Sequence, residues 1–141
     1  MRRGTTSGRL QNCYRKFSSK AAACRFSQAI FPGSELKLLK GLQLGCSGII
    51  TATCNVTAEL SRKVYDDFFS EKEQSHNKKL CDVRATFDKY NLISGLHTFY
   101  SQENEIYKNI LPPLSLLNNI DEKNLINTLK DLNFTNKSRM V

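Results

Sequence analysis

The side chains best suited to metal binding or nucleophilic chemistry are scattered along this sequence. Five cysteines stand at positions 13, 24, 46, 54 and 81, an odd number without a single Cys-x-x-Cys pair. Since zinc sites and disulfide frameworks need paired cysteines, we predict neither of them. His76 and His97 are too far apart along the chain to form a local ligand pair. We therefore expect reduced thiols that pack as small apolar side chains in a cytoplasmic protein, with no metal and no cofactor.

Basic charge is concentrated at the start of the chain. The 141 residues contain 21 Lys and Arg against 13 Asp and Glu, a net charge of +8, and the first 34 residues contain no acidic residue. Three interpretations fit such a start: an organelle transit peptide, an arm that binds nucleic acid, or a basic surface helix, as over Leu10–Lys20, or a stray N-terminus. The segment has no dense cluster of Lys and Arg, which disfavours nucleic-acid binding, and its aromatic residues suit packing as well as base stacking.

The first half of the chain predicts two short strands on either side of a helix. Arg25–Phe31 is a candidate strand that a Pro-Gly pair ends. A serine then caps a predicted helix over Glu35–Leu44, and a glycine stops it. Ser47–Thr53 is apolar and β-branched on both faces, which is typical of a buried parallel strand. Two such strands cannot form a stable sheet alone, so we expect further strands to be supplied from elsewhere.

The second half of the chain predicts a bundle of helices. Apolar residues at helical spacing mark Thr57–Ser70, Glu71–Tyr90 and Leu92–Tyr100, and the core face of the second is predicted to consist of Leu80, Val83 and Phe87. Pro112-Pro113 interrupts the pattern, and Asp121 is predicted to cap a last helix. Asn133–Val141 reads as a frayed polar tail. No stretch approaches the roughly 18 consecutive apolar residues of a transmembrane helix, so we expect no membrane partner.

Several short motifs in this order resemble the dihydrodipicolinate synthase/N-acetylneuraminate lyase family. The run from Phe31 to Glu35 is similar to a family strand that ends in Gly-(Asp/Ser)-(Asp/Glu). The family's Gly-x-x-Gly-x-Ile-Ser-x-x-x-Asn pattern is matched, with Thr for Ser, by Gly45, Gly48, Ile50, Thr51 and Asn55. Further similar stretches are Thr6-Ser7-Gly8, 84–96 and 110–117.

The resemblance implies a fold of the α/β class. The family is a (β/α)8 or TIM barrel with a C-terminal helical extension, and this chain is too short for a complete barrel, which needs about 250 residues. We therefore expect a partial TIM barrel, its last one to two βα units, followed by a mostly helical extension. The expected division is residues 1–56 for the end of the barrel, with strands seven and eight, 57–133 for the extension and 134–141 for a polar tail.

The resemblance also implies carbon–carbon lyase chemistry on pyruvate or a related 2-oxo acid. In the family a lysine on the sixth strand forms a Schiff base with the keto carbon, and the iminium stabilises the neighbouring carbanion. Here the position of that lysine falls on Gly4, and the first lysine of the chain is Lys16. Arginine stays protonated and cannot replace it. We therefore predict no catalytic residue in this chain, and a truncated member of the family that is inactive alone.

Three residues are predicted to belong to a substrate-binding wall. Ile50 matches the family's isoleucine on the eighth strand, whose main chain lies against pyruvate, and active sites of barrels lie at such carboxyl ends of strands. Gly48 either permits close packing of the main chain before the strand or is a plain turn glycine. Thr51 follows it, either as a substrate contact or as support for the loop that leaves the strand. His97 is expected on the surface or in an interface between subunits.

Three hypotheses for function follow from this sequence. The first is a remnant of an aldolase, either inactive or acting only with a partner that supplies strands one to six. The second is a nonenzymatic interaction protein, a homo-oligomer built on the helical extension. The third is a nucleic-acid-binding module that rests on the basic start, and we regard it as the weakest.

Overall fold

A computed structural model describes residues 29–135, which form five α-helices and two 3-10 turns. The helices are α1 (Leu38–Gln43), α2 (Cys54–Phe69), α3 (Ser75–Phe87), α4 (Leu92–Ser101) and α5 (Asn119–Asp131), and the 3-10 turns are Glu35–Lys37 and Glu105–Lys108. The helices predicted within this range are confirmed, although their ends differ by a few residues. The stretch 84–96 is divided between α3 and α4. The predicted helix over Leu10–Lys20 lies outside the described residues.

Three helices end in the same hydrogen-bonded motif. Gly45 follows α1 with φ of 87°, Glu71 follows α2 with φ of 55°, and Asn133 follows α5 with φ of 51°. In each case the next amide donates back into the last turn of the helix, as from Lys72 to the Asp67 carbonyl over 2.9 Å. This is the Schellman geometry, which explains why the sequence stops each helix at that residue.

Side-chain caps determine where several helices begin. Ser34 accepts a hydrogen bond from the amide of Leu36 and caps the first 3-10 turn, as predicted. The prediction that Asp121 caps the last helix was wrong. Asn118 accepts from the amides of Ile120 and Asp121 instead. Asparagine caps as well as aspartate does, and Asn118 has the extended backbone that a cap position needs.

The two predicted strands are not formed within residues 29–135, where no strand is present. The amide of Ser47 donates to the carbonyl of Ile30 (2.9 Å), and that of Ile50 donates to the carbonyl of Pro32 (3.2 Å). This ladder of hydrogen bonds goes no further, because Pro32 has no N–H to donate in return. The two donors are three residues apart and the two acceptors are two apart. The extra residue, at Gly48 with φ of 156°, therefore breaks the register of the pairing. Residues 25–28 of the first predicted strand lie outside the described residues.

The expectation of a buried strand over 47–53 was also wrong. The side chain of Ile50 is 70% exposed, whereas Thr53 is wholly buried. A parallel strand is buried when neighbouring strands and helices cover both of its faces. Within residues 29–135 no strand lies beside this segment, so Ile50 remains open to solvent and Ile49 is only half-buried.

Helix α3 lies at the centre of the five helices and contributes to two hydrophobic clusters. Its Leu80 packs with residues of α1 and α2, in a buried cluster of Leu38, Leu42, Val64 and Leu80. Its Val83 and Phe87 pack with residues of α4 and α5, in a buried cluster of Val83, Phe87, Leu96, Phe99, Leu125 and Leu129. The predicted core face of this helix is thereby confirmed.

The start of the predicted polar tail is part of the packed structure. The ring of Phe134 stacks on that of Phe99 with centroids 6.0 Å apart. The Lys79 amine donates to the carbonyl of Asn133 over 3.0 Å. The prediction of a frayed tail from residue 133 was therefore wrong for 133 and 134, because an aromatic ring there covers the edge of the core. Residues 136–141 lie outside the described residues.

Candidate functional site

The three predicted substrate-wall residues lie on the extended segment between α1 and α2. Ile50 faces solvent at the middle of this segment, and its carbonyl oxygen would lie 3.8 Å from a Cβ added at Gly33. A Cβ at Gly48 would lie 3.6 Å from the ring of Phe31. The segment therefore lies close to residues 31–33 and presents an apolar side chain outward.

Beneath this segment lies a carboxylate that sequence reasoning did not single out. Glu35 is wholly buried, at 0% exposure, in the 3-10 turn that precedes α1. Its Oε2 accepts from the hydroxyl of Thr51 at 3.2 Å, and its Oε1 accepts from the hydroxyls of Thr53 and Thr57, the latter at 2.9 Å. A buried carboxylate needs such donors, because an unpaired buried charge costs several kcal/mol.

Arg84 completes this arrangement from α3. Its Nη1 lies 3.1 Å from Oε2 of Glu35 and 2.8 Å from each of the hydroxyl oxygens of Thr51 and Thr53. Its Nε donates to Asp88 over 2.9 Å. That hydrogen bond, and then the charges of Asp88 and Glu35, raise the pKa of Arg84 despite its partial burial, so the guanidinium stays charged. We call Glu35, Thr51, Thr53, Thr57 and Arg84 the polar cluster.

Two charged residues at otherwise apolar positions of the sequence indicate the polar cluster. Glu35 begins a helix whose other inward-facing residues are apolar, and Arg84 lies between Val83 and Phe87 on the core face of α3. A charged residue on an apolar face needs a partner. The partners are 49 residues apart, however, and local periodicity cannot pair residues over such a separation.

The cysteines near the polar cluster have weakly acidic thiols. Burial raises the pKa of Cys54, and the negative charge of Glu35 adds to this rise, although a hydrogen bond with Ser61 opposes it. Burial also raises the pKa of Cys81, with contributions from Asp82 and Glu35. A thiol with a raised pKa is a poor nucleophile at neutral pH, so these two cysteines lack the character of catalytic residues.

The two histidines lie apart from the polar cluster. His76 Nδ1 is 3.1 Å from Asp67 and joins the end of α2 to the start of α3, while His97 Nδ1 is 2.9 Å from the carbonyl oxygen of Tyr107. Within residues 29–135, no group of three His, Cys, Asp or Glu side chains is arranged to hold a metal ion. None of the helices in that range is long and apolar enough to span a membrane.

Comparison with known proteins places this fold in a family. The model of the dihydrodipicolinate synthetase family matches residues 6–132, so the chain belongs to that family. The structure is similar to the crystal structure of dihydrodipicolinate synthase from Agrobacterium tumefaciens str. C58, with a TM-score of 0.61 and 17% sequence identity. The similarity covers 89% of this chain and 40% of the other, so this chain spans less than half the length of that relative. A comparison with curated proteins gave no match.

Proposed function

We propose that this chain supplies the end of the barrel and the helical extension of a Schiff-base lyase that acts on pyruvate or a related 2-oxo acid. The observation that carries this proposal is the family match over residues 6–132. In this proposal residues 1–56 correspond to the last βα units of a TIM barrel, 57–133 to the helical extension and 134–141 to a tail.

The substrate wall of this proposal is formed by Ile50, with Gly48 and Thr51 beside it. Two features support it: the side chain of Ile50 is 70% exposed, and the main chain approaches residues 31–33 closely. The carboxyl ends of strands seven and eight would meet there, which is where barrel enzymes bind substrate. The remaining strands of the barrel would cover the other apolar side chains that are now open to solvent, such as Ile30 and Phe31.

The nucleophile of this proposal comes from outside the described residues. A Schiff-base lysine must be desolvated to present a neutral amine at neutral pH. Every lysine between residues 29 and 135 is exposed or half-exposed, which does not suit that role. The family position of the lysine falls on Gly4, so we propose that this chain forms no Schiff base by itself.

Reductive trapping tests this proposal directly. The 141-residue chain is incubated with pyruvate and borohydride, and its intact mass is measured beside that of the Agrobacterium synthase as a positive control. We expect no reduced pyruvyl adduct on this chain. An adduct on any of its lysines would overturn the proposal that the nucleophile comes from elsewhere.

A second experiment tests the substrate wall. The chain is mixed with a fragment that carries the first six strands of a family barrel, and pyruvate is trapped on the lysine of that fragment. We expect Ile50→Asp to abolish the trapping, because a carboxylate at the wall repels the 2-oxo acid. Leu111→Asp is the control, since Leu111 is 83% exposed and belongs to the loop after α4. Equal trapping by both variants would contradict the assignment of Ile50.

A further inference from the structure

The hydroxyl group of Thr51 points into the polar cluster. Its oxygen accepts from Arg84 Nη1 at 2.8 Å and lies 3.2 Å from Glu35 Oε2 and 3.0 Å from the hydroxyl of Thr53. A hydroxyl has one proton to donate and two lone pairs. The proton and at least one lone pair are used within the polar cluster, which leaves this hydroxyl poorly placed to bind a substrate.

The polar cluster joins three parts of the chain that are distant in sequence. Glu35 follows the segment 29–34, Thr51 adjoins Ile50, and Arg84 belongs to α3 of the helical part. Besides the polar cluster, main-chain hydrogen bonds from Ser47 and Ile50 and the packing of the half-buried Ile49 and Ala52 hold the segment around Ile50. The charged hydrogen bonds to Arg84 and Glu35 are stronger than neutral ones.

We infer that Thr51 and Arg84 are positioning residues, which hold the main chain at Ile50 by their mutual hydrogen bond and by their bonds to the buried carboxylate of Glu35. The helical extension thereby sets the position of the substrate wall, although none of its side chains forms that wall. The inference rests on the proposed function, because the role of Ile50 as a wall comes from there. Of the two roles expected for Thr51, it favours support of the loop over contact with the substrate.

Amide hydrogen exchange of the full chain, followed by NMR, tests this inference. The reporter is the Ile50 amide, whose hydrogen bond to the Pro32 carbonyl joins this segment to residues 30–32. Thr51→Val removes one hydroxyl from the segment, and we expect the Ile50 amide to exchange about three- to tenfold faster, the equivalent of one hydrogen bond. Thr57→Val is the matched control, because it removes a hydroxyl that binds the same carboxylate from α2. In that variant the Ile50 amide should exchange at its original rate, once the part of the exchange that occurs through global unfolding is subtracted.

A pair of charge variants separates positioning from stability. Arg84→Met leaves Glu35 buried without its cation, so we expect a lower urea midpoint and fast exchange at Ile50. In Glu35→Gln combined with Arg84→Met, no buried charge remains, and the urea midpoint should recover in part. Exchange at Ile50 should stay fast in this double variant, because the link to α3 is still missing.

Two results would overturn the inference. One is equal exchange of the Ile50 amide in Thr51→Val and Thr57→Val, and the other is recovery of slow exchange together with stability in the double variant. Either would leave the proposed function intact, because reductive trapping tests that separately. A lysine adduct in the trapping experiment would contradict the proposed function, whereas the exchange rates at Ile50 do not depend on that result.

Discussion

The polar cluster shows how a single buried carboxylate can organise its surroundings. Glu35 has no exposed surface, and its two oxygens together accept from three hydroxyls and one guanidinium. Removing one partner from a buried ion pair such as Glu35 and Arg84 costs about 3–5 kcal/mol of folding free energy, whereas replacing both partners costs much less. The residues of the polar cluster are therefore more important as a set than any one hydroxyl is alone.

At the residue scale, the two cysteines near the polar cluster predict a loss of stability at alkaline pH. Burial raises the pKa of Cys54 and of Cys81 above the ordinary value of 9.0. Above that pH the unfolded chain loses thiol protons that the folded protein still holds, so the free energy of unfolding falls as pH rises. Urea unfolding from about pH 8 to about pH 10 measures this slope.

The control for the alkaline prediction is the double variant Cys54→Ala, Cys81→Ala. Other groups titrate alike in both proteins, so only the thiol contribution differs between them. We expect the unfolding free energy of the variant to fall less steeply with pH than that of the original chain. Parallel curves would contradict the prediction that these thiols ionise at a higher pH in the folded state.

At the element scale, a glycine inside a helix and a glycine at a helix end respond to alanine in opposite ways. Gly95 is buried in α4, and a Cβ there would lie 3.5 Å from Phe87 and 3.9 Å from Leu125, which is ordinary contact. Gly45 ends α1 with φ of 87°, a conformation that side chains disfavour. The space beside Gly95 and the backbone at Gly45 therefore decide how each position tolerates alanine.

We predict that Gly95→Ala stabilises the protein and that Gly45→Ala destabilises it. Alanine in a helix is favoured over glycine by about 0.5–1 kcal/mol, and the ordinary contact distances at Gly95 allow this gain to be realised. At Gly45 alanine would strain the left-handed turn by about 1 kcal/mol. Urea denaturation of both variants gives the two changes, and a loss of stability in Gly95→Ala would show that α4 cannot accept the added methyl group.

At the scale of the whole molecule, apolar side chains between residues 30 and 50 remain open to solvent. Exposed fractions there are 50% for Ile30, 44% for Phe31, 48% for Leu36, 65% for Leu44 and 70% for Ile50. Scattered apolar residues are normal on protein surfaces, but a concentration of them in one segment favours association. This segment is also the one that the proposed function covers with further strands.

We therefore predict that the isolated chain associates with itself as its concentration rises. Leu44→Ser combined with Ile50→Ser should reduce this association, which sedimentation velocity over a range of concentrations measures. Leu111→Ser is the control, because Leu111 is 83% exposed but lies outside the segment. If the control reduced association as much as the double variant, the segment 30–50 would not be its cause.

The sequence by itself determined the helices and the family. Local signals are enough for a helix, because its hydrogen bonds join residues four apart and its caps are adjacent to it. Leu80, Val83 and Phe87 therefore marked the core face of α3, and Gly45 marked the end of α1. The motif from Gly45 to Asn55 indicated the family, which the match over residues 6–132 confirmed.

Only the tertiary structure decided how the distant segments meet. Strand pairing depends on non-local hydrogen bonds, and Pro32 and Gly48 interrupt the ladder that the apolar pattern predicted. Thr51, predicted as part of a substrate wall, turns its hydroxyl inward because Glu35 and Arg84 lie beneath it. A buried ion pair between residues 49 positions apart leaves no periodic trace in a sequence, since its partners are joined only by the packing of α3 on the preceding segments.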